Sequence, residues 1–65
     1  MRISKQKIFA VQAKRDLTMK QLAELSGISR QNQSTVVHRG SCRPETAGKI
    51  ARALGVDVTE IMEVN

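Results

Sequence analysis

A lone cysteine, Cys42, in a chain of 65 residues rules out an internal disulfide, so the fold must rest on packing alone. A core of this size lies near the lower limit for folding without a metal or a bridge. Apolar residues make up 40% of the chain, Gly and Pro are few, and Phe9 is the one aromatic, a balance that fits a folded helical domain. Single-cysteine usage suits a reducing cytoplasm. No apolar run approaches the roughly 20 residues needed to span a bilayer, and the N-terminus lacks a signal-peptide core. So short a chain leaves little volume for both a core and a cleft, which argues against an enzyme and against a small-molecule site.

The apolar spacing predicts one all-α domain over residues 1–65, a compact five-helix bundle with no linker or repeat. A first helix is expected from about Ser4 to Arg15, with Ile8 and Val11 one turn apart and Leu17 closing it from the following turn. Asp16-Leu17-Thr18 breaks it, and Thr18 is placed to cap a second helix, Met19 to Ser26, with Leu22 and Ala23 inward. Gly27 stops that helix, because a left-handed residue without Cβ is cheap there. Ser29 then caps a third helix through about Val37, and residues 39–43 form a loop. Pro44 suits the first turn of a fourth helix, with Glu45 at its positive end, an apolar stripe of Ile50, Ala53 and Leu54, and Gly55 as its stop. Asp57 is expected to cap a last short helix, Thr59 to Val64, anchored by Val56, Val58, Ile61 and Met62.

Charge is unevenly spread over this frame. Eleven Lys and Arg face six Asp and Glu, for a net charge of +5. The 20 residues 25–44 carry three Arg and one His and no acid, whereas residues 53–65 hold Asp57, Glu60 and Glu63 and no base. A basic face opposed by a mildly acidic end suits an oriented approach to a polyanion. The acid-free window coincides with the third helix and the loop after it. On a wheel at 100° per residue, Arg30, Gln31, Ser34, Thr35 and His38 fall within an arc of roughly 140°. Val36 lies opposite, flanked by Asn32 and Gln33. Base edges in the major groove call for this chemistry: Arg pairs with guanine O6 and N7, Gln with adenine N6 and N7, and Thr offers a methyl to thymine. An ordinary solvated helix face would mix Glu and Lys, and this one has neither.

Residues 17 to 62 resemble the lambdoid phage repressor and Cro family of helix-turn-helix domains (XRE-type). The shared pattern is Leu22-Ala23, Gly27-Ile28, Val36, Pro44, then Ile50-Ala51-Arg52-Ala53-Leu54-Gly55-Val56, and Ile8 and Val11 extend it into the first helix. The Ala allows close helix contact, the Gly makes the turn, and the apolar residue after it fills the gap between helices. The resemblance implies that the second and third helices bind double-stranded DNA, with base contacts from Arg30, Gln31 and Thr35 and Ser34 nearby. It implies phosphate contacts from Ser29, from Thr18 and the N–H groups at the start of the second helix, and from Arg39, Ser41 and Arg43. The family often has Gln where Met19 stands, and Met19 cannot make that hydrogen bond. It also implies a homodimer, at least on DNA, reading two half-sites about one helical turn, roughly 34–36 Å, apart.

Two positions depart from the family pattern. Gln33 stands where the family has an aliphatic residue on the inward side, and a buried Gln without partners costs on the order of 1–3 kcal/mol. Either it snorkels to the helix edge or the helix is slightly rotated. Gly40 lies one position later than the usual terminating Gly, so either Arg39 takes the left-handed turn or the helix runs longer.

Other candidates are weaker. His38 has no second His to suggest a metal or catalytic role, and a phosphate contact or simple exposure fits it better. Flanking Arg residues favour a Cys42 thiolate, although a spectator loop thiol is the simpler assignment. Asp57, Glu60 and Glu63 are explained by capping and solvation, and Ser29 and Ser34 lack a general base. The expected function is therefore a cytoplasmic, nucleoid-associated transcription regulator, a Cro-like repressor that needs no cofactor or metal. The alternative is a protein-interaction module, such as an antitoxin-like subunit, motivated by the apolar end formed by Ile61, Met62 and Val64.

Overall fold

The computed structural model describes residues 1–63. Four helices follow one another, α1 (Lys5–Arg15), α2 (Met19–Ser26), α3 (Arg30–Arg39) and α4 (Pro44–Leu54), and a three-residue 3-10 turn, Val58–Glu60, comes after them. Three of the helices start where a side chain replaces a missing intrahelical partner. Ser4 Oγ accepts the Lys7 N–H at 3.2 Å, and Ser29 Oγ accepts the Asn32 N–H at 3.2 Å. Thr18 and Gln21 form a reciprocal box: Thr18 Oγ1 accepts the Gln21 N–H at 3.1 Å, and Gln21 Oε1 accepts the Thr18 N–H at 2.9 Å. The fourth helix starts instead on Pro44, whose absent N–H is one the first turn could not have used.

Between α2 and α3 the chain reverses at Gly27, which sits in the left-handed region at φ 75°. The third helix runs two residues past its predicted end. Gly40 takes the left-handed cap at φ 74°, and its N–H returns to the Val36 carbonyl at 2.9 Å. The longer helix is thus the alternative that is realised, and Arg39 belongs to its last turn, not to the loop.

The expected fifth helix does not form. In its place the 3-10 turn closes on itself, with the Asp57 N–H donating to the Glu60 carboxylate at 3.2 Å. Beyond the turn, the backbone pairs with the start of the chain. Ile3 and Met62 form an antiparallel bridge, the Ser4 N–H donates to the Ile61 carbonyl at 2.7 Å, and the Glu63 N–H donates to the Arg2 carbonyl at 3.1 Å. Groups that would have propagated a helix are committed to the N-terminal segment. Val64, assigned to that helix and to the apolar end, lies outside the described residues.

The same N-terminal segment pairs on its other side. Arg2 bridges Ser41, the Ile3 N–H donates to the Gly40 carbonyl at 3.0 Å, and the Cys42 N–H donates to the Met1 carbonyl at 2.9 Å. Residues 1–3 therefore lie between the loop after α3 and the tail after the 3-10 turn. They carry Ile3 into a core that also contains Ile8, Leu22, Val37, Ile50, Leu54 and Ile61, each at most 1% exposed. Helix α4 packs against α1, α2 and the 3-10 turn, and α2 also packs against α3. Ala23 is buried as its spacing predicts, while Val11 and Leu17 are half-buried at the core's edge.

Candidate nucleic-acid interface

The rotation of α3 about its own axis decides which side chains it can present. Gln33 and Val37 are buried, Val36 and Ser34 are half-buried, and Arg30, Gln31, Asn32, Thr35, His38 and Arg39 are exposed. This corrects the wheel centred on Val36. The inward direction passes between Gln33 and Val37, which places Thr35 diametrically opposite, with Gln31 and Arg39 roughly 40° away and Asn32 and His38 roughly 60° away. Ser34 lies on the flank, and Arg30 lies towards the inner side, reaching solvent from the helix's first turn. Asn32 is therefore part of the outward face, although sequence reasoning set it beside the core. The signal that would have revealed it is the i, i+4 pair Gln33 and Val37, masked by the adjacent Val36.

Gln33 neither snorkels nor lies unpaired. Its Oε1 accepts from Ser26 Oγ at 2.8 Å, and its Nε2 approaches the Met19 carbonyl at 3.5 Å and Met19 Sδ at 3.2 Å. The residue that cannot reach a phosphate as a Gln would is instead turned towards the interior, where its sulfur accepts from the α3 amide.

The hydroxyls have defined roles. Thr35 Oγ1 donates to the Gln31 carbonyl at 2.9 Å, so its proton is committed and its methyl is the group left available for contact. Thr18 and Ser29 act as acceptors in their caps, which leaves each hydroxyl proton free to donate to an anion. The capping box uses the Thr18 and Gln21 N–H groups, so the Met19 and Lys20 N–H groups are those open to a phosphate at the start of α2.

Past α3 the backbone places further cationic and hydroxyl groups beside the same face. His38 and Arg39 form the basic last turn of α3, which also suits its negative dipole end. Arg43 is exposed and starts α4 without a side-chain cap, while Ser41 is half-buried in its bridge to Arg2. An open groove runs between Arg39, Ser41, Cys42, Arg43 and Met1. Cys42 is half-buried in it, and burial pushes its thiol up, against the opposing pull of the N-terminal ammonium and the Ala47 N–H. The cost of burying the charged form exceeds the help from nearby positive groups, which opposes the thiolate that flanking Arg residues would favour. Among the described residues, no three His, Cys, Asp or Glu side chains come together, and no helix is long and apolar enough to cross a membrane.

Two short capped helices joined through Gly27, the second exposing a polar, acid-free face, define a helix-turn-helix DNA-binding domain. The sequence model of the Cro/C1-type HTH DNA-binding domain matches residues 7–65, and the chain belongs to that family of DNA-binding transcription regulators. No curated protein and no solved structure matches the chain significantly.

Proposed function

We propose that this domain is a sequence-specific operator-binding repressor of the Cro type, acting in the cytoplasm on the nucleoid by occupying its site with α3 in the major groove. Arg30, Gln31 and Thr35 are the base-reading group, Gln31 and Thr35 standing nearest the centre of the exposed face, while Ser34 lies half-buried on its flank. Thr18, Ser29, His38, Arg39, Ser41 and Arg43 hold the phosphates on either side. The observation that carries this assignment is the polar surface of α3 opposite Gln33 and Val37, which has no acid to repel a duplex. One α3 spans too few base pairs for tight specificity, so two copies on adjacent half-sites form the working unit.

The protein-interaction alternative loses most of its motive. Ile61 is fully buried and Met62 half-buried, so these two of the three apolar residues that motivated it serve the core.

Selecting bound duplexes from a random pool is the direct test, followed by titrations of the selected site and a scrambled duplex at several salt concentrations. With about six phosphate contacts per subunit, the log–log salt slope per subunit should be on the order of −5. Gln31→Ala should weaken the selected site by about 1–3 kcal/mol and leave the scrambled duplex unaffected. Equal loss on both sequences, or no enriched sequence at all, would refute base reading by α3.

A further inference from the structure

We propose that Gln33 is a positioning residue for base recognition: its buried amide locks the rotation of α3 on α2 and thereby brings Asn32, in preference to Ser34, into the reading face. The inference rests on the DNA-reading role of α3 proposed above.

Gln33 has no solvent exposure, and its amide reaches both ends of α2. At the first turn of α2, Nε2 approaches the carbonyl and the sulfur of Met19, 14 residues away in sequence. At the last turn, Oε1 takes the Ser26 hydroxyl at 2.8 Å. Ser26 Oγ lies 3.2 Å from the Ala23 carbonyl and accepts the Ile28 N–H at 3.3 Å, so the same oxygen ties down the turn itself. One hydroxyl proton serves both Gln33 and Ala23, and the shorter contact is the one across the helices. Hydrogen bonds are directional, whereas contact between aliphatic side chains tolerates sliding and rotation. A buried, satisfied polar network in a helix pair is therefore a device for fixing one rotation among several that pack equally well.

Two such rotations are available to α3, because Val36 and Val37 are adjacent. Pairing Gln33 with Val37 directs Thr35 outward, with Asn32 at roughly 60° and Ser34 at roughly 100° from the centre of the exposed face. Pairing position 33 with Val36 would turn the helix by roughly 50°, moving Ser34 into the face and Asn32 out of it. The Gln33 network selects the first arrangement. Asn offers a donor and an acceptor in one plane, which matches adenine N6 and N7, so the rotation determines base preference and not merely stability.

The test compares wild type, Gln33→Leu and Ser26→Ala by duplex selection and titration, with Asn32→Ala and Ser34→Ala made in each background. Gln33→Leu is expected to fold with a Tm no lower than wild type and to bind scrambled duplex within about twofold. Its preference for the wild-type site over scrambled sequence should fall by about tenfold, the order of one bidentate base contact. Ser26→Ala, which strips Oε1 of its donor without enlarging a core side chain, should show the same loss and keeps the test decisive if Gln33→Leu fails to fold. Asn32→Ala should cost about tenfold at the selected site in wild type and less than about threefold in either altered background. Ser34→Ala in wild type should stay within about twofold. An unchanged selected sequence in both altered proteins, or a larger loss from Ser34→Ala than from Asn32→Ala, would overturn the proposal while leaving DNA reading intact. If wild type itself enriches no sequence, the failure belongs to the operator-binding function.

Discussion

The N-terminal segment has the most direct consequence for stability, and Ile3→Ala isolates it. Ile3 is 0% exposed and packs in the same cluster as Ile8, Leu22 and Ile50. Its backbone sits between two partners, with its N–H on the Gly40 carbonyl at 3.0 Å and a bridge to Met62. Those bonds involve main-chain atoms and survive the substitution, so the loss is transfer energy plus the cavity left behind. For a fully buried Ile cut to Ala that amounts to about 3 kcal/mol. A domain of this length has a total stability of roughly 3–10 kcal/mol, so the variant loses between a third and nearly all of it. With a urea slope of about 1 kcal/mol/M, the midpoint should fall by about 3 M. The measurement is equilibrium urea unfolding followed by helical ellipticity, with Ile3→Val expected to cost about 1 kcal/mol and exposed Arg2→Ala less than about 0.5 kcal/mol. A cost below about 1 kcal/mol for Ile3→Ala would mean that the N-terminus is not packed as described. Residues 1–3 would then not be fixed between the loop after α3 and the tail after the 3-10 turn.

Two further substitutions follow from single buried atoms. Gln12 is 8% exposed, its Nε2 makes a long 3.3 Å contact with the Leu17 carbonyl, and its Oε1 has no partner among the described residues. Gln12→Met keeps the shape and removes the unpaired acceptor, so stability should rise by about 1 kcal/mol, or 4–8 °C in Tm; a loss of similar size would show that a bound water satisfies the oxygen. Cys42 carries a pH signature. Because burial raises its thiol in the folded protein, the unfolded chain releases that proton first. The stabilising effect is complete below the ordinary cysteine range near pH ~8.5 and is lost as pH rises through and beyond it. Wild type should therefore lose stability above that range more steeply than Cys42→Ala. Its thiol should also react with a disulfide reagent more slowly when folded than in urea, and faster reaction when folded would refute the direction of the shift.

Much of the fold is legible locally because helix ends are written in residues that act on their own neighbours. Thr18 and Ser29 cap the helices expected of them, Gly27 makes the turn, and Pro44 starts α4, each through contacts within three or four residues. The misread parts are those whose partners lie far along the chain. Val58, Ile61 and Met62 have the spacing of a helical stripe, yet the backbone around Met62 pairs with Ile3, a competition that no window of a dozen residues can register. Ile3 is a single apolar residue ahead of a cap, with no periodicity to mark it as core.

The candidate interface divides along the same line. Which residue types the exposed side of α3 carries follows from composition, and a helix with no acid and several amides and hydroxyls suits the DNA-facing role proposed for it. How that helix is turned does not, because Val36 and Val37 offer two inward seams and the choice depends on an amide meeting Ser26 and Met19 from another helix. An aliphatic residue at position 33 would have been the easier sequence to read and would leave the rotation less determined. Placing a polar side chain in a core this small gives up some apolar contact in return for one orientation of the reading face. Under the proposed DNA-reading role, a turn of roughly 50° is enough to exchange Asn32 for Ser34 on the exposed face.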